Sequence, residues 1–408
     1  MRIAIVSKSD RNGGGASKVA EDLCDLLRQQ GHFVSHYMSE TPEYISSEYQ
    51  VHGSLGSFAK KANAWFRKIG FQELIPFEYF YLKKRIKINK YDLIHFHDLT
   101  WSISPLTLRL LSRKIPVFWT LHDCSPFTGG CIYPLDCTKY QTDCNDCPQR
   151  GQPPLPKGKY DLANIELKIK RFVHKADLTL IAPSQWSKQF AATTSIDHKP
   201  INVISNGIDL DSYQLIDKAE AKQTAGVPQD RFCIIIIAKY LWDKKKGAFY
   251  ALQTLKALKA KGVDPYLILV GELGPLTEKM FAKFDYLKTG FVSDYKDLNR
   301  LYAAADVFLN CSLGETFSLV TLEAAASGTP TVGFNVGALQ ELVVQNETGY
   351  LGEVKDISGL ADKIVSLSQS NECIAWGGNA RARAEKYYTK QHFIDKHIAL
   401  YDSKVLTS

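Results

Sequence analysis

The stretch DVFLNCSLGETFSLVTLEAA occupies residues 306–325, and its reading decides the fold class. Val307, Phe308 and Leu309 form a short apolar run suited to a buried strand. A loop with Gly314 follows, then an alanine-rich helical segment that stops at Gly328-Thr329-Pro330. Strand, loop and helix in this order are the repeating unit of a parallel sheet covered on both faces. Ligands of such sheets bind beyond the carboxyl ends of the strands. Two carboxylates, Glu315 and Glu323, flank the loop end. On one helix they would be offset by about 80°. With Glu315 in the loop and Glu323 on the helix, both can face one pocket at the helix mouth. The amides of Thr316, Phe317, Ser318 and Leu319 at this helix start suit a phosphate. Ionised carboxylates accept hydroxyl protons, so the glutamates suit sugar and ribose hydroxyls. A purely structural role would make Glu315 a dipole-favoured helix-start residue and Glu323 a surface residue, but Leu322 and Ala324, Ala325 and Ala326 give Glu323 little polar surface.

The same alternation runs along most of the chain. RIAIVS, DLIHFHD, PVFWTLHD and LTLIAPS read as strands of a first half. INVISNG, FCIIIIAKY, PYLILVGE, KTGFV, DVFLNCS and TPTVGF read as strands of a second. Between them, stretches such as SKVAEDLCDLLRQQG and GAFYALQTLKALKAKG carry apolar residues at helical spacing and end in glycine. The fold class expected is therefore α/β, with two doubly wound Rossmann-like domains facing across a cleft. The expected domains are 1–199, with a cysteine-rich insertion at about 124–150, and 200–385. The segment 386–408 is expected to be a C-terminal helix that can pack back on the first domain.

A chain of 408 residues with 45% apolar and 23% charged residues has the balance of a globular protein of two or three domains. No apolar run reaches the length of a membrane span, and MRIAIVSKSDRNGGG lacks the pattern of a secretion signal, so a cytoplasmic location is expected. The formal charge of +7 is concentrated. Residues 55–90 hold nine Lys or Arg against Glu73 and Glu78, which equals the whole excess. Phe58, Trp65, Phe66, Phe71, Phe77, Tyr79, Phe80 and Tyr81 are interleaved with them. Bases among aromatics suit an anionic membrane surface, which would put the protein at the inner face of the membrane as a peripheral component. A pair of ordinary amphipathic helices explains the segment equally well.

Glu315 and Glu323 with seven residues between them, then Gly328-Thr329-Pro330 and NVGALQELV, resemble the nucleotide-sugar site of retaining glycosyltransferase family 4. GGGASKVAEDL, TLHD, APSQW, SNGID and DKKKG extend the resemblance over most of the chain. TLHDCSPFTGGCIYPLDC is similar to the branch that builds bacterial surface polysaccharides. The resemblance implies the GT-B fold, a UDP- or GDP-sugar donor, and a lipid-linked or oligosaccharide acceptor. It implies Glu323 at the ribose, Glu315 at the donor sugar, and the following amides at the distal phosphate. The basic residues for the diphosphate fall on Lys245 and Lys246, with Lys239 where the family often has arginine. His122, at the end of PVFWTLHD, would touch the donor sugar, and His97 and Asp98 would lie on the acceptor side. Catalysis is then positioning and charge stabilisation by His122, Glu315 and Lys246, with no catalytic metal needed.

Gly14 and Gly15 follow the first strand and permit close approach of a donor to a helix start. The run is not GxGxxG, which argues against a dinucleotide dehydrogenase. Cys131, Cys137, Cys144 and Cys147 are spaced C-x5-C-x6-C-x2-C, and in a cytosolic chain such crowding points to structural zinc ahead of disulfides or free thiols. Two other functions compete: a nucleotide-sugar 2-epimerase of the same fold, and a zinc-containing basic nucleic-acid-binding protein. The second leaves Glu315 and Glu323 unexplained, and no nucleic-acid partner is expected.

Overall fold

The computed structural model describes residues 1–40, 49–52, 56–71, 74–194 and 199–405. Glu73, one of the two acids in the basic segment, lies outside the described residues, as do positions 55, 72 and 406–408 of the ranges named above. The chain divides into two compact units, Met1–Ser205 with Phe393–Ser408, and Asn206–His392. Among the described residues no helix is long and apolar enough to cross a membrane.

The first unit is built on six strands: β1 (Arg2–Ser7), β2 (Phe33–Met38), β3 (Leu93–Phe96), β4 (Val117–Thr120), β5 (Thr179–Ala182) and β6 (Ile201–Val203). They are parallel and lie in the order β2-β1-β3-β4-β5-β6. The second unit has β7 (Cys233–Tyr240), β8 (Tyr266–Glu272), β9 (Tyr286–Gly290), β10 (Val307–Asn310), β11 (Thr331–Phe334) and β12 (Gly349–Gly352). Its order, again parallel, is β12-β11-β10-β7-β8-β9. Both units are Rossmann-like.

The unbroken apolar runs follow from burial on both sheet faces. In β7, Ile234 and Ile236 join one hydrophobic cluster with Leu255, Leu267 and Leu269, while Ile235 joins another with Ile268, Val270 and Phe308. Strand order reverses between β1 and β3 in the first sheet and between β7 and β10 in the second. At such a reversal the connecting helices leave toward opposite faces, and a crevice opens at the carboxyl ends of the two strands. Each unit therefore offers one crevice of its own.

Four features differ from the sequence reading. INVISNG contributes β6 to the first sheet, so the change of unit comes after it. β2 (FVSHYM) is unexpected because Ser35 and His36 interrupt its apolar run; both are buried, and Ser7 Oγ meets His36 Nε2 at 2.7 Å. β12 (GYLG) has low strand propensity, but Gly349 lets it close on β11, where a Cβ would lie 2.2 Å from the Thr331 carbonyl oxygen. The C-terminal segment forms two helices, Glu372–Tyr387 and Lys390–Val405, because Thr389 Oγ1 accepts from the His392 amide at 3.1 Å and starts a new one. From Phe393 onward this tail groups with the first unit, where Tyr401 Oη meets His95 Nδ1 at 2.6 Å.

Candidate active site

In the second unit the crevice between β7 and β10 is built by three turns locked to one another. After β7, the Asp243 carboxylate accepts from the Lys245 amide at 3.0 Å and winds Lys244–Lys246 into a single 3-10 turn. Gly247 ends the turn with φ +73°, and a Cβ there would stand 1.8 Å from the Cys311 carbonyl oxygen. Only glycine allows the lysine turn to come this close to the loop after β10. The Leu313 amide donates to the Lys245 carbonyl at 2.9 Å, and the Ala338 amide to the Glu315 carbonyl at 3.0 Å. Gly337 makes the second contact possible, since its Cβ would fall 1.7 Å from that same Glu315 oxygen.

This lock delivers Lys246 Nζ to Glu315 Oε1 at 2.9 Å. Glu315 is 5% exposed, and Lys246 keeps one face toward solvent. Burial opposes the charge on Lys246, but the Glu315 carboxylate outweighs it and raises the lysine pKa. Lys246 is thus held charged beside Glu315, a preformed cation at the mouth of a helix. Lys245 is buried beside it, and Lys239, next to last in β7, places Nζ 5.5 and 5.8 Å from the ring centroids of Tyr240 and Phe291.

The helix begins at Leu319, so Thr316, Phe317 and Ser318 belong to the preceding loop rather than to its first turn. Ser318 is left-handed, with φ +79°, and its hydroxyl meets Thr321 Oγ1 at 2.9 Å. Phe317 is buried and packs edge-on against Tyr388, 5.9 Å between centroids. Glu323 is on the helix but is a buried residue, not a surface one. Tyr302 Oη donates to its Oε2 at 3.3 Å. Tyr213 lies close enough that Glu323, after burial, is the chief reason its phenol pKa is raised. Tyr302 orients Glu323 and Tyr213 lies beside it, and the sequence reading missed both. Nothing in local pattern marks them, since Tyr302 lies on another helix and Tyr213 between the two sheets in sequence.

In the first unit, Gly14, Gly15, His97, Asp98 and His122 lie at strand carboxyl ends around the β1/β3 reversal. Gly14 has φ +129° and precedes the helix Gly15–Gln29, a conformation that favours glycine. His97 Nδ1 and His122 Nε2 are 2.9 Å apart, so one ring donates to the other. Burial pushes the His122 pKa down to about 3 and that of His97 well below its ordinary value, so both are neutral imidazoles. His97 Nε2 has no hydrogen-bond partner among the described residues. Beside them, burial and then the charge of Asp123 push Asp98 up to about 7. Thr100 and Ser125 fasten the two carboxylates: the Thr100 amide donates to Asp98 Oδ1 at 3.1 Å and the Ser125 amide to Asp123 Oδ1 at 2.7 Å. Asp123 was not anticipated as a site residue, although it ends the quoted TLHD.

The zinc expectation finds no support among the described residues. Cys131, Cys137, Cys144 and Cys147 do line one small cavity, and none is in a disulfide. Yet among the described residues no three His, Cys, Asp or Glu side chains are placed to hold a metal ion. Burial instead favours the thiol forms, raising Cys131 to about 12 and Cys144 and Cys147 above their ordinary value. Spacing brought the four together, but the loop geometry does not make them a coordination shell.

A family model described as Glycosyltransferase Family 4 matches residues 13–212, and one described as Glycosyl transferases group 1 matches residues 231–370. The chain is 25% identical over 414 residues to the putative colanic acid biosynthesis glycosyl transferase WcaC of Escherichia coli K12, covering 96% of this chain and 97% of the relative. Among solved structures it is similar to the sucrose-phosphate synthase of Thermosynechococcus elongatus, with TM-score 0.76, 20% identity and all of both chains covered. It is also similar to Anabaena Alr3699/HepE in complex with UDP and glucose, with TM-score 0.66, 19% identity, and 99% of this chain and 100% of that one covered. The two family models together span most of the chain, and the residues they cover include the Lys246–Glu315 pair and the His97–His122 pair: the chain belongs to glycosyltransferase family 4 and is a glycosyltransferase of the GT-B fold.

Proposed function

We propose that the protein transfers a hexosyl group from a nucleotide sugar, UDP- or GDP-linked, to a lipid-linked or glycan acceptor in polysaccharide biosynthesis, with retention at the anomeric carbon. The observation that carries this reading is the Lys246–Glu315 contact in the β7/β10 crevice. A departing nucleoside diphosphate gathers negative charge, and cations fixed beforehand lower that barrier. Lys246, Lys245 and Lys239 serve that end, with the loop amides of Thr316, Phe317, Ser318 and Leu319 at the distal phosphate. Glu315 accepts from donor-sugar hydroxyls and Glu323 from the ribose. His122 contacts the donor sugar, Gly14 and Gly15 let it approach, and His97 and Asp98 stand on the acceptor side. The leaving phosphate oxygen takes the acceptor hydroxyl proton on the same face that the new bond forms. UDP in the Anabaena relative and colanic acid in the name of the Escherichia coli relative support the donor and the pathway class.

Peripheral attachment at the inner face of the membrane is part of the same proposal. On the helix Gly56–Ile69, Phe58, Lys61, Trp65 and Lys68 share one exposed stripe, and Phe58 and Trp65 are 62% and 58% exposed. The helix Phe77–Asn89 repeats the pattern with Phe80, Lys84 and Ile88. Aromatics beside lysines suit the headgroup layer of an anionic bilayer.

The decisive experiment offers UDP-, GDP- and ADP-sugars to the purified protein and follows slow donor hydrolysis, with the anomer of the first-formed sugar read by NMR. Turnover of a uridine or guanosine donor with retained configuration is expected. No turnover or binding with any donor would sink the transferase reading, and an inverted product would remove retention.

A further inference from the structure

One cavity of the first unit is not accounted for by any residue discussed so far. It encloses about 340 Å³ and is lined by Ser39 and Glu40 after β2, by Lys60, Asn63 and Arg67 of the helix Gly56–Ile69, and by His52, Trp101 and Ser102. A volume of this size falls in the range of small-molecule sites. It lies beyond the carboxyl ends of β2 and β3, the edge at which open parallel sheets take their ligands.

Its chemistry is specific. Lys60, Asn63 and Arg67 recur at three- and four-residue steps, so one stripe of the helix faces the cavity while its neighbour carries Phe58 and Trp65 to solvent. Asn63 and His52 are each 6% exposed, and Asn63 Oδ1 and His52 Nδ1 have no hydrogen-bond partner among the described residues. His52 bonds the Ser102 backbone through its ring, and burial together with Lys60 holds the ring neutral. Its unpartnered Nδ1 is therefore a lone pair awaiting a donor, as is the Asn63 oxygen. Buried polar atoms of proteins are normally paired, so two orphans lining one cavity call for a ligand. Trp101 adds a fixed aromatic wall: its indole N–H donates to the Pro154 carbonyl at 2.7 Å, and its backbone sits at φ +62°, unusual for a bulky residue. Glu40, the one acid of the lining, stands 3.9 Å from Lys8 Nζ.

We propose that this cavity is the subsite for an acceptor sugar that carries an anionic group, phosphate or carboxylate. The inference rests on the reading that the first unit takes the acceptor. Lys60 and Arg67 hold the anion, Asn63 Oδ1 and His52 Nδ1 accept sugar hydroxyls, and Trp101 stacks on the ring. Loops leading from β3 connect Trp101 to His97 and Asp98, so an acceptor seated here enters from the acceptor side of the reaction.

Calorimetric titrations test it with glucose 1-phosphate, glucuronate and neutral glucose, with UDP present to fill the nucleotide site. Both anions should bind at least tenfold more tightly than glucose. A sugar phosphate that outbinds glucuronate identifies phosphate as the natural anion, as on a lipid carrier, and the reverse order identifies a uronic acid in a glycan. The double substitution Lys60→Ala/Arg67→Ala should weaken the anions at least tenfold, and Asn63→Leu should weaken all three sugars, with melting temperature checked for each variant. Equal binding of glucose and the anions, or undiminished binding to the double variant, overturns the proposal. Wild-type donor hydrolysis is measured in parallel; its absence would defeat the transferase reading while the titrations still decide the cavity.

Discussion

At the scale of single residues, the Lys246–Glu315 contact and the tyrosines around Glu323 carry the sharpest expectations. Lys246→Ala leaves a nearly buried Glu315 carboxylate without its cation. Loss of one preorganised charge at a reacting centre typically costs on the order of 10²–10³ in turnover. Because Lys246 is a third exposed, the stability loss should be smaller than for a fully buried pair, about 1–2 kcal/mol. Donor hydrolysis rate and thermal unfolding of the same variant check both figures. Tyr302→Phe removes only the phenol oxygen that donates to Glu323 Oε2. Donor KM should rise several-fold with kcat nearly kept, and stability should fall by about 1 kcal/mol. A loss of stability with unchanged donor KM would reduce Glu323 to a structural residue. The sequence made the two glutamates visible through spacing; their partners arrive from distant segments and left no trace in it.

At the scale of elements, the helix start and the turns that face it act as one device. Gly337→Ala drives a Cβ into the Glu315 carbonyl at a position with φ +56°. We expect at least about 2 kcal/mol of destabilisation. We also expect a larger fall in donor turnover than in melting temperature would suggest, because the Glu315 loop must move. A control at Gly31, also left-handed but with open space around its Cβ, should lose stability alone. Strands with a strong local signature were legible: β1, β7 and β10 appear where apolar runs predict them. β2 and β12 were not, because their stability comes from neighbours: Ser7 for His36, and close approach to β11 for Gly349. The Leu319 helix start was read three residues early, since a left-handed Ser318 cannot be foreseen from residue type.

At the scale of the whole molecule, six histidines of the first unit are held far below the ordinary pKa: the buried His36, His52, His95, His97 and His397, and the half-buried His122. Burial lowers His36, His52 and His397 to about 4, His122 to about 3, and His95 and His97 well below the ordinary 6.5. With folded pKa values depressed, their contribution is complete above about pH 6.5 and is lost as pH falls toward 4. Asp98 and Asp123 are raised and act in the opposite sense, their contribution present at low pH and fading as pH climbs, for Asp98 through about 7. Six against two leaves a net loss on acidification, each histidine giving up about 1 kcal/mol between pH 7 and 5.5. Thermal unfolding across pH 5–8 should show the melting temperature falling steeply below pH 6.5, and a flat profile would contradict the burial of these rings. Local pattern alone determined the α/β class, most strands and the two-carboxylate loop, because backbone hydrogen bonding and side-chain periodicity act over a few residues. Strand order, the turn pair that brings Lys246 to Glu315 across 69 positions, the histidine core completed by Tyr401, and the failure of four clustered cysteines to form a metal shell were decided only in three dimensions. Each depends on long-range burial, which no short window of sequence contains.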